Sequence, residues 1–128
     1  MYDKSLTLET LISIEKSLCE VLEWTVDITT ANDFATTPTG MMMLNAVCMK
    51  LLAIGEEIKG LDRRTDGEFL KHYPSIPWKQ IKGMRDIIAH HYFSVDAAVI
   101  FSVLKIDVHP LLEVIRQMTA DLRREEVN

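Results

Sequence analysis

The chain predicts an all-α fold, an antiparallel up-and-down bundle of four to five helices, and three observations carry that expectation. Apolar residues recur at three- and four-residue steps through long stretches. No segment keeps the two-residue alternation of a half-buried strand. The breaks between periodic stretches are short, which favours antiparallel neighbours. The 128 residues, 48% of them hydrophobic, give room for a single domain over 1–128 with a modest core, its charged end 123–128 frayed.

The first helix is expected from Ser5 to about Ala31, where Leu11, Ile14, Leu18, Val21 and Ile28 form one stripe with Thr25 in the remaining slot. Asn32-Asp33 and the run Thr36-Thr37-Pro38-Thr39-Gly40 gather turn and capping residues, so the chain should break there and restart near Gly40 or Met41. The second helix then runs to about Lys59 on the seam Leu44, Val47, Leu51, Ile54 and Ile58, its apolar face widened by Met41, Met42, Met43 and Met49. That methionine cluster reads as core or dimer surface. Gly60 offers a stop, and Leu61 to Tyr73 reads as a loop or short irregular helix. Ser75 is a candidate cap for a third helix opening at Pro77, with Trp78, Ile81, Met84 and Ile88 as its buried stripe. A fourth helix from Ser94-Val95-Asp96 carries Val99, Val103 and Ile106, and Pro110 opens a last piece through Leu111, Leu112, Ile115, Met118 and Leu122.

The net charge of −5 argues against a broad electrostatic grip on nucleic acid, so any RNA contact must be local. Cys19 and Cys48 sit in apolar helical patterns without metal-ligand spacing, which suits buried reduced thiols rather than zinc or a disulfide framework. No stretch is long and apolar enough to span a bilayer, and the first residues lack the layout of a signal peptide, so a cytoplasmic protein without a membrane anchor is expected. Phosphate-binding glycine loops are absent, and no cofactor is implied.

Polar chemistry concentrates at the end of the third helix, where Arg85, Asp86, His90, His91 and Tyr92 fall within eight residues. Asp86 and His90, four apart, face one side of a helix, so the carboxylate can hold an imidazole tautomer. Arg85 and His90, five apart, lie roughly 140° around the axis, so both meet one small target only if the helix ends or a second copy contributes. A homodimer with a shared cleft follows as an expectation. A plainer reading stays open: Arg85 pairs with a neighbouring carboxylate, His90 and His91 are surface or capping imidazoles, and Tyr92 is packing. Glu56-Glu57 are either solvated or turned to orient Arg85; His72, Tyr73 and His109 read as structural, and Trp78 as a core anchor.

The run Ile76-Pro77-Trp78-Lys79-Gln80-Ile81-Lys82-Gly83-Met84-Arg85-Asp86, continuing through His90-His91-Tyr92-Phe93 to Val95-Asp96, resembles the central signature of HepT-like proteins of the HEPN superfamily. Arg85, His90 and Tyr92 match its Arg, its His after four to six residues, and its Tyr two positions later. Ile54-Gly55-Glu56 resembles the family's second-helix motif, and the likeness covers about residues 44 to 118. Asp86 stands where the pattern usually has Asn, and a carboxylate there competes with phosphate for Arg85. The resemblance implies a metal-independent endoribonuclease toxin in which Arg85 and His90 are catalytic and Asp86, His91 and Glu56 support them. It also implies a minimal nucleotidyltransferase antitoxin that silences the toxin by attaching AMP to Tyr92. The alternative class is a noncatalytic HEPN protein that binds nucleotides or serves as partner subunit of a nucleotidyltransferase.

Overall fold

A computed structural model describes residues 2–91 and 94–127. Among them there is no strand, and the order is α1 (Lys4–Trp24), α2 (Asn32–Ala35), α3 (Pro38–Arg64), a 3₁₀ turn (Leu70–His72), α4 (Trp78–His90), α5 (Ala97–Ile106) and α6 (Val108–Val127). The all-α bundle is as expected, with the single turn α2 added inside the expected break.

Asp3 caps α1 by accepting the Leu6 N–H at 3.1 Å. The apolar stripe Leu11, Ile14, Leu18 and Val21 is buried to 1% exposure or less. The helix stops at Trp24, seven residues before the expected end, although Thr25 and Ile28 stay buried. The cause is local: Thr25, Val26, Ile28, Thr29 and Thr30 are β-branched and resist helical χ1 restriction. The Thr25 hydroxyl also turns back onto the Val21 carbonyl at 2.8 Å. Asp33 then accepts the N–H groups of Thr29 and Thr30 at 2.8 and 3.0 Å, which holds its carboxyl below the ordinary range and shapes the turn that inserts Phe34 fully into the core.

Thr37 caps α3 through Gly40 N–H at 2.9 Å with Pro38 opening the first turn, two to three residues earlier than expected. Val47, Leu51, Ile54 and Ile58 are buried and Leu44 half-buried, as the seam predicts. Of the methionines, Met43 is half-buried against the core as expected, whereas Met41, Met42 and Met49 are more than half exposed and do not widen it. Gly60 does not stop α3, because it lies buried within the helix, where an isolated glycine is tolerated at roughly 1 kcal/mol. The stop is Asp66-Gly67, both at positive φ, where Gly67 N–H closes on the Asp62 carbonyl at 2.8 Å.

Ser75 is not the cap of α4; Pro77 holds that position without a side-chain bond, its backbone not yet helical, which leaves Ser75 two residues upstream. Ile81 and Ile88 are buried, and the half-buried Trp78 donates its indole N–H to the Tyr73 carbonyl at 2.8 Å. Helix α5, capped by Asp96, buries Ile100 and Leu104 and leaves Val99 and Ile106 exposed, one residue off the expected stripe. Its sequence is apolar nearly all round, so periodicity alone does not select a face. Only Asp107 separates it from α6, in which Pro110 sits in the first turn and Leu111, Leu112, Ile115, Met118 and Leu122 are buried. Helix α6 runs through Val127.

Helix α1 packs on α3 and α6, α4 on α3, and α5 on α6. Helix α1 is antiparallel to both α3 and α6: Glu20 meets Lys50 while Thr10 meets Arg64, and Lys4 meets Glu125 while Glu15 meets Arg116. No helix among the described residues is long and apolar enough to cross a membrane. Phe34 plugs the core from its single turn, so Phe34→Ala should lower unfolding free energy by about 3 to 5 kcal/mol in a urea titration. Met42→Ala, at a side chain 72% exposed, should stay within about 0.5 kcal/mol of the parent.

Candidate active site

The site is built where α4 passes α3 at Gly55. A Cβ placed on Gly55 would lie 2.6 Å from the Arg85 Cβ, closer than two carbons tolerate, so α4 can seat Arg85 here only because α3 has no side chain at 55. That seating brings neighbouring charges of the two helices together. Arg85 donates from Nε to Glu56 Oε1, and from Nη1 to Asp86 Oδ1 at 2.8 Å. Lys59, three residues past Glu56 on the same face of α3, places its ammonium 3.5 Å from that same Asp86 oxygen. Further toward the N-terminus of α4, Lys82 donates to Asp62 at 2.7 Å.

The result is an alternating chain, Glu56–Arg85–Asp86–Lys59, with no net charge. Arg85 is half-buried, with a side-chain exposure of 30%, and Asp86 and Lys59 are more open. The guanidinium bonds to Asp86 first, and Lys59 beside it second, hold the Asp86 carboxyl below its ordinary value of 3.8. Nη2 donates to none of the described residues, and a guanidinium has five donors in all.

Of the expected site residues, the structure brings Arg85, Asp86 and Glu56 together, with Glu56 in the orienting rather than the solvated arrangement. His90 is the last residue of α4 and His91 its cap, the His91 N–H closing on the Ile87 carbonyl at 3.0 Å; both imidazoles are on exposed residues. Among the described residues Asp86 makes no hydrogen bond to His90, because Arg85 and Lys59 draw its carboxylate toward α3. Tyr92 lies outside the described residues. Lys59 and the packing role of Gly55 are what reading the sequence missed, although the three-residue step from Glu56 to Lys59 was a usable sign of a shared face.

Other candidates sit elsewhere. His72 and Tyr73 line a separate cavity with Tyr2, Phe69 and Asp121, where burial and the hydrogen bond to Asp121 push the Tyr73 phenol up. His109 is exposed in the first turn of α6. Cys48 is buried, which raises its thiol pKa, and Cys19 is half-buried; neither is in a disulfide. No group of three or more His, Cys, Asp or Glu among the described residues is arranged to hold a metal ion.

The family profile described as "Ribonuclease HepT-like" matches residues 14–118. The chain belongs to the HepT-like ribonuclease family of the HEPN superfamily. The matched span contains the whole Glu56–Arg85–Asp86–Lys59 chain with His90 and His91, and starts well before the likeness read from the motifs. Among relatives, "Putative RNase MJ1380" of Methanocaldococcus jannaschii is 33% identical over 98 residues, 77% of this chain and 83% of that protein. "Gamma-glutamylcyclotransferase and putative RNase MJ0434" of the same organism is 35% identical over 115 residues, 90% of this chain; the chain spans 48% of that longer protein. "Probable ribonuclease HepT" of Thermococcus cleftensis is 36% identical over 66 residues, 52% of this chain and 56% of that protein. No solved structure matches.

Two outcomes follow from this geometry. Gly55→Ala should destabilise the protein by about 1 to 3 kcal/mol in chemical denaturation, as α4 is pushed off α3. Gly83→Ala, in α4 with nothing within 4 Å of the new Cβ, should instead be neutral or stabilising by up to about 1 kcal/mol. The second outcome concerns pH. Since the Asp86 pKa is lowered on folding, its stabilising contribution is complete above the ordinary carboxylate value of 3.8 and is lost as pH falls through the lower folded value. Asp86→Asn should therefore flatten the acid limb of the stability profile in that window, measured by denaturant midpoints between about pH 2 and 6.

Proposed function

We propose that the chain is a metal-independent endoribonuclease acting as the toxin of a cytoplasmic toxin–antitoxin pair. The observation that carries this reading is the anchored guanidinium of Arg85, held by Glu56 across Gly55 within a chain of the HepT-like ribonuclease family. In RNA cleavage the ribose 2′-oxygen bonds to phosphorus, the bond from phosphorus to the 5′-oxygen breaks, and a proton leaves the first oxygen while one reaches the second. His90, exposed at the end of α4, is suited to carry one of those protons, a role typically worth about 100- to 10,000-fold. Arg85 offers its Nη donors to the phosphate oxygens as charge accumulates on them, a contribution of similar size. RNA is the substrate because DNA lacks the 2′-hydroxyl nucleophile. Asp86 and His91 support the site, the first by its bond to Arg85 and the second by closing the helix beside His90.

The same reading gives the protein two partners. A second copy covers the exposed Ile87 and Val99, which flank an apolar groove of about 270 Å³ between α4 and α5 bordered by His91. A minimal nucleotidyltransferase antitoxin attaches AMP to Tyr92, placing an anionic adduct close in sequence to His90, where it competes with substrate phosphate. A second reading, a noncatalytic nucleotide-binding protein or nucleotidyltransferase subunit, is favoured by one observation: Arg85 already faces two carboxylates.

RNA cleavage in excess chelator separates them. The parent should cut RNA, and Arg85→Ala and His90→Ala, each shown to be folded and equally associated, should lose at least about 100-fold. A parent free of modification on Tyr92 that leaves a broad RNA panel intact would sink the enzyme reading in favour of the binding one.

A further inference from the structure

Arg85 between Glu56 and Asp86 is one cation held by two anions, and that trio alone would repel an RNA phosphate. The fourth member of the chain, Lys59, belongs to none of the motifs that mark the site. Its ammonium lies 3.5 Å from the Asp86 oxygen that Arg85 Nη1 binds at 2.8 Å, so the carboxylate is shared between a cation on α4 and one on α3. The Lys59 and Asp86 side chains are both more than a third exposed, which leaves room for the carboxylate to swing from one cation to the other.

We infer that Lys59 is a positioning residue of the Arg85 site: it receives the Asp86 carboxylate when an RNA phosphate takes Arg85 Nη1. The inference rests on the ribonuclease reading above. The charge argument is direct. A phosphate that displaces Asp86 from Arg85 leaves two anions side by side, and their repulsion opposes binding unless a second cation holds the carboxylate back. Lys59 is the cation placed to do so, since its ammonium already lies 3.5 Å from Asp86 Oδ1 and the carboxylate three residues before it, Glu56, is engaged by Arg85 Nε. The ion pair between Lys59 and Asp86 therefore strengthens in the bound state and on the way to the transition state, which gives it an effect on rate even though Lys59 touches no reacting atom.

A double-mutant cycle on the full chain tests this. Lys59→Ala should lower kcat/KM for RNA cleavage by about fivefold, the scale of a partly exposed ion pair, and Lys59→Arg should restore it. In an Asp86→Asn background, where no carboxylate charge needs holding, the Lys59→Ala loss should shrink below about twofold. Equal losses in both backgrounds would mean that Lys59 meets the RNA itself, and no loss in either would mean that it does nothing; both overturn the inference. A second readout does not need activity. The Asp86 carboxyl, which faces Arg85 on its own helix and Lys59 and Glu56 on α3, should titrate at higher pH by carbon NMR in Lys59→Ala and return toward the parent value in Lys59→Arg. If the parent cuts no RNA, the ribonuclease reading falls and this titration decides: an Asp86 titration unmoved by Lys59→Ala overturns the inference.

Discussion

Helix α4 rests against α3 at a point where α3 carries no side chain, and the chemistry of the molecule depends on that contact. With a Cβ on residue 55, the Arg85 Cβ could not occupy its place. Because it can, Glu56 and Lys59 on α3 reach Arg85 and Asp86 on α4, and Lys82 reaches Asp62 further along the seam. On the core side of the same helix, Ile81 and Ile88 are buried, so α4 is held by apolar packing on one face and by ion pairs on another. A guanidinium mounted this way is fixed by two rigid helices rather than by a loop, which is what preorganised stabilisation of developing charge requires.

The carboxylates that fix Arg85 also spend its charge. Each ion pair here is partly exposed, and such pairs contribute little to stability, commonly between about 0 and 1 kcal/mol. Their value is directional. Glu56 takes Nε, which leaves the Nη edge for other partners, and an edge with two parallel donors is the one that meets phosphate oxygens in pairs. An acidic chain with a net charge of −5 can work this way only with a local grip, since nothing in its overall charge gathers polyanions at long range.

How far the sequence reveals this varies with the kind of interaction. The stripes of α1, α3 and α6 are legible because each alternates apolar and polar residues over several turns, and the buried residues follow the pattern. The end of α1 is not, since Ile28 keeps the apolar period after the β-branched run has ended the helix. The face of α5 is hidden for the opposite reason: with almost no polar residue there is no period to read. Gly60 and Gly67 look alike in sequence, and only the backbone separates a buried packing glycine from the positive-φ stop. In the site, Arg85, Asp86 and Glu56 stand out as charged residues in recognisable motifs. Lys59 does not, because its role depends on the register between two helices, which no single stretch encodes.

That register also bears on how Arg85 and His90 could serve one phosphate. Arg85 points from α4 toward α3, where Glu56 holds it. Ile87, two residues on, lies about 200° around the axis, and His90 follows it by three, so Ile87 and His90 share the outward side. Ile87 is 57% exposed and His90 is exposed as well, which makes that side an apolar residue beside an imidazole at the end of a helix. The helix closes at once after His90, with His91 N–H on the Ile87 carbonyl, so the imidazole stands at a rim rather than on a long wall. Under the proposed function, a phosphate held at Arg85 meets His90 around that rim, or meets the His90 of the proposed second copy covering Ile87. The geometry of α4 thus ties the proposed dimer to the proposed chemistry, since covering the exposed isoleucine and completing the proton path call for the same surface.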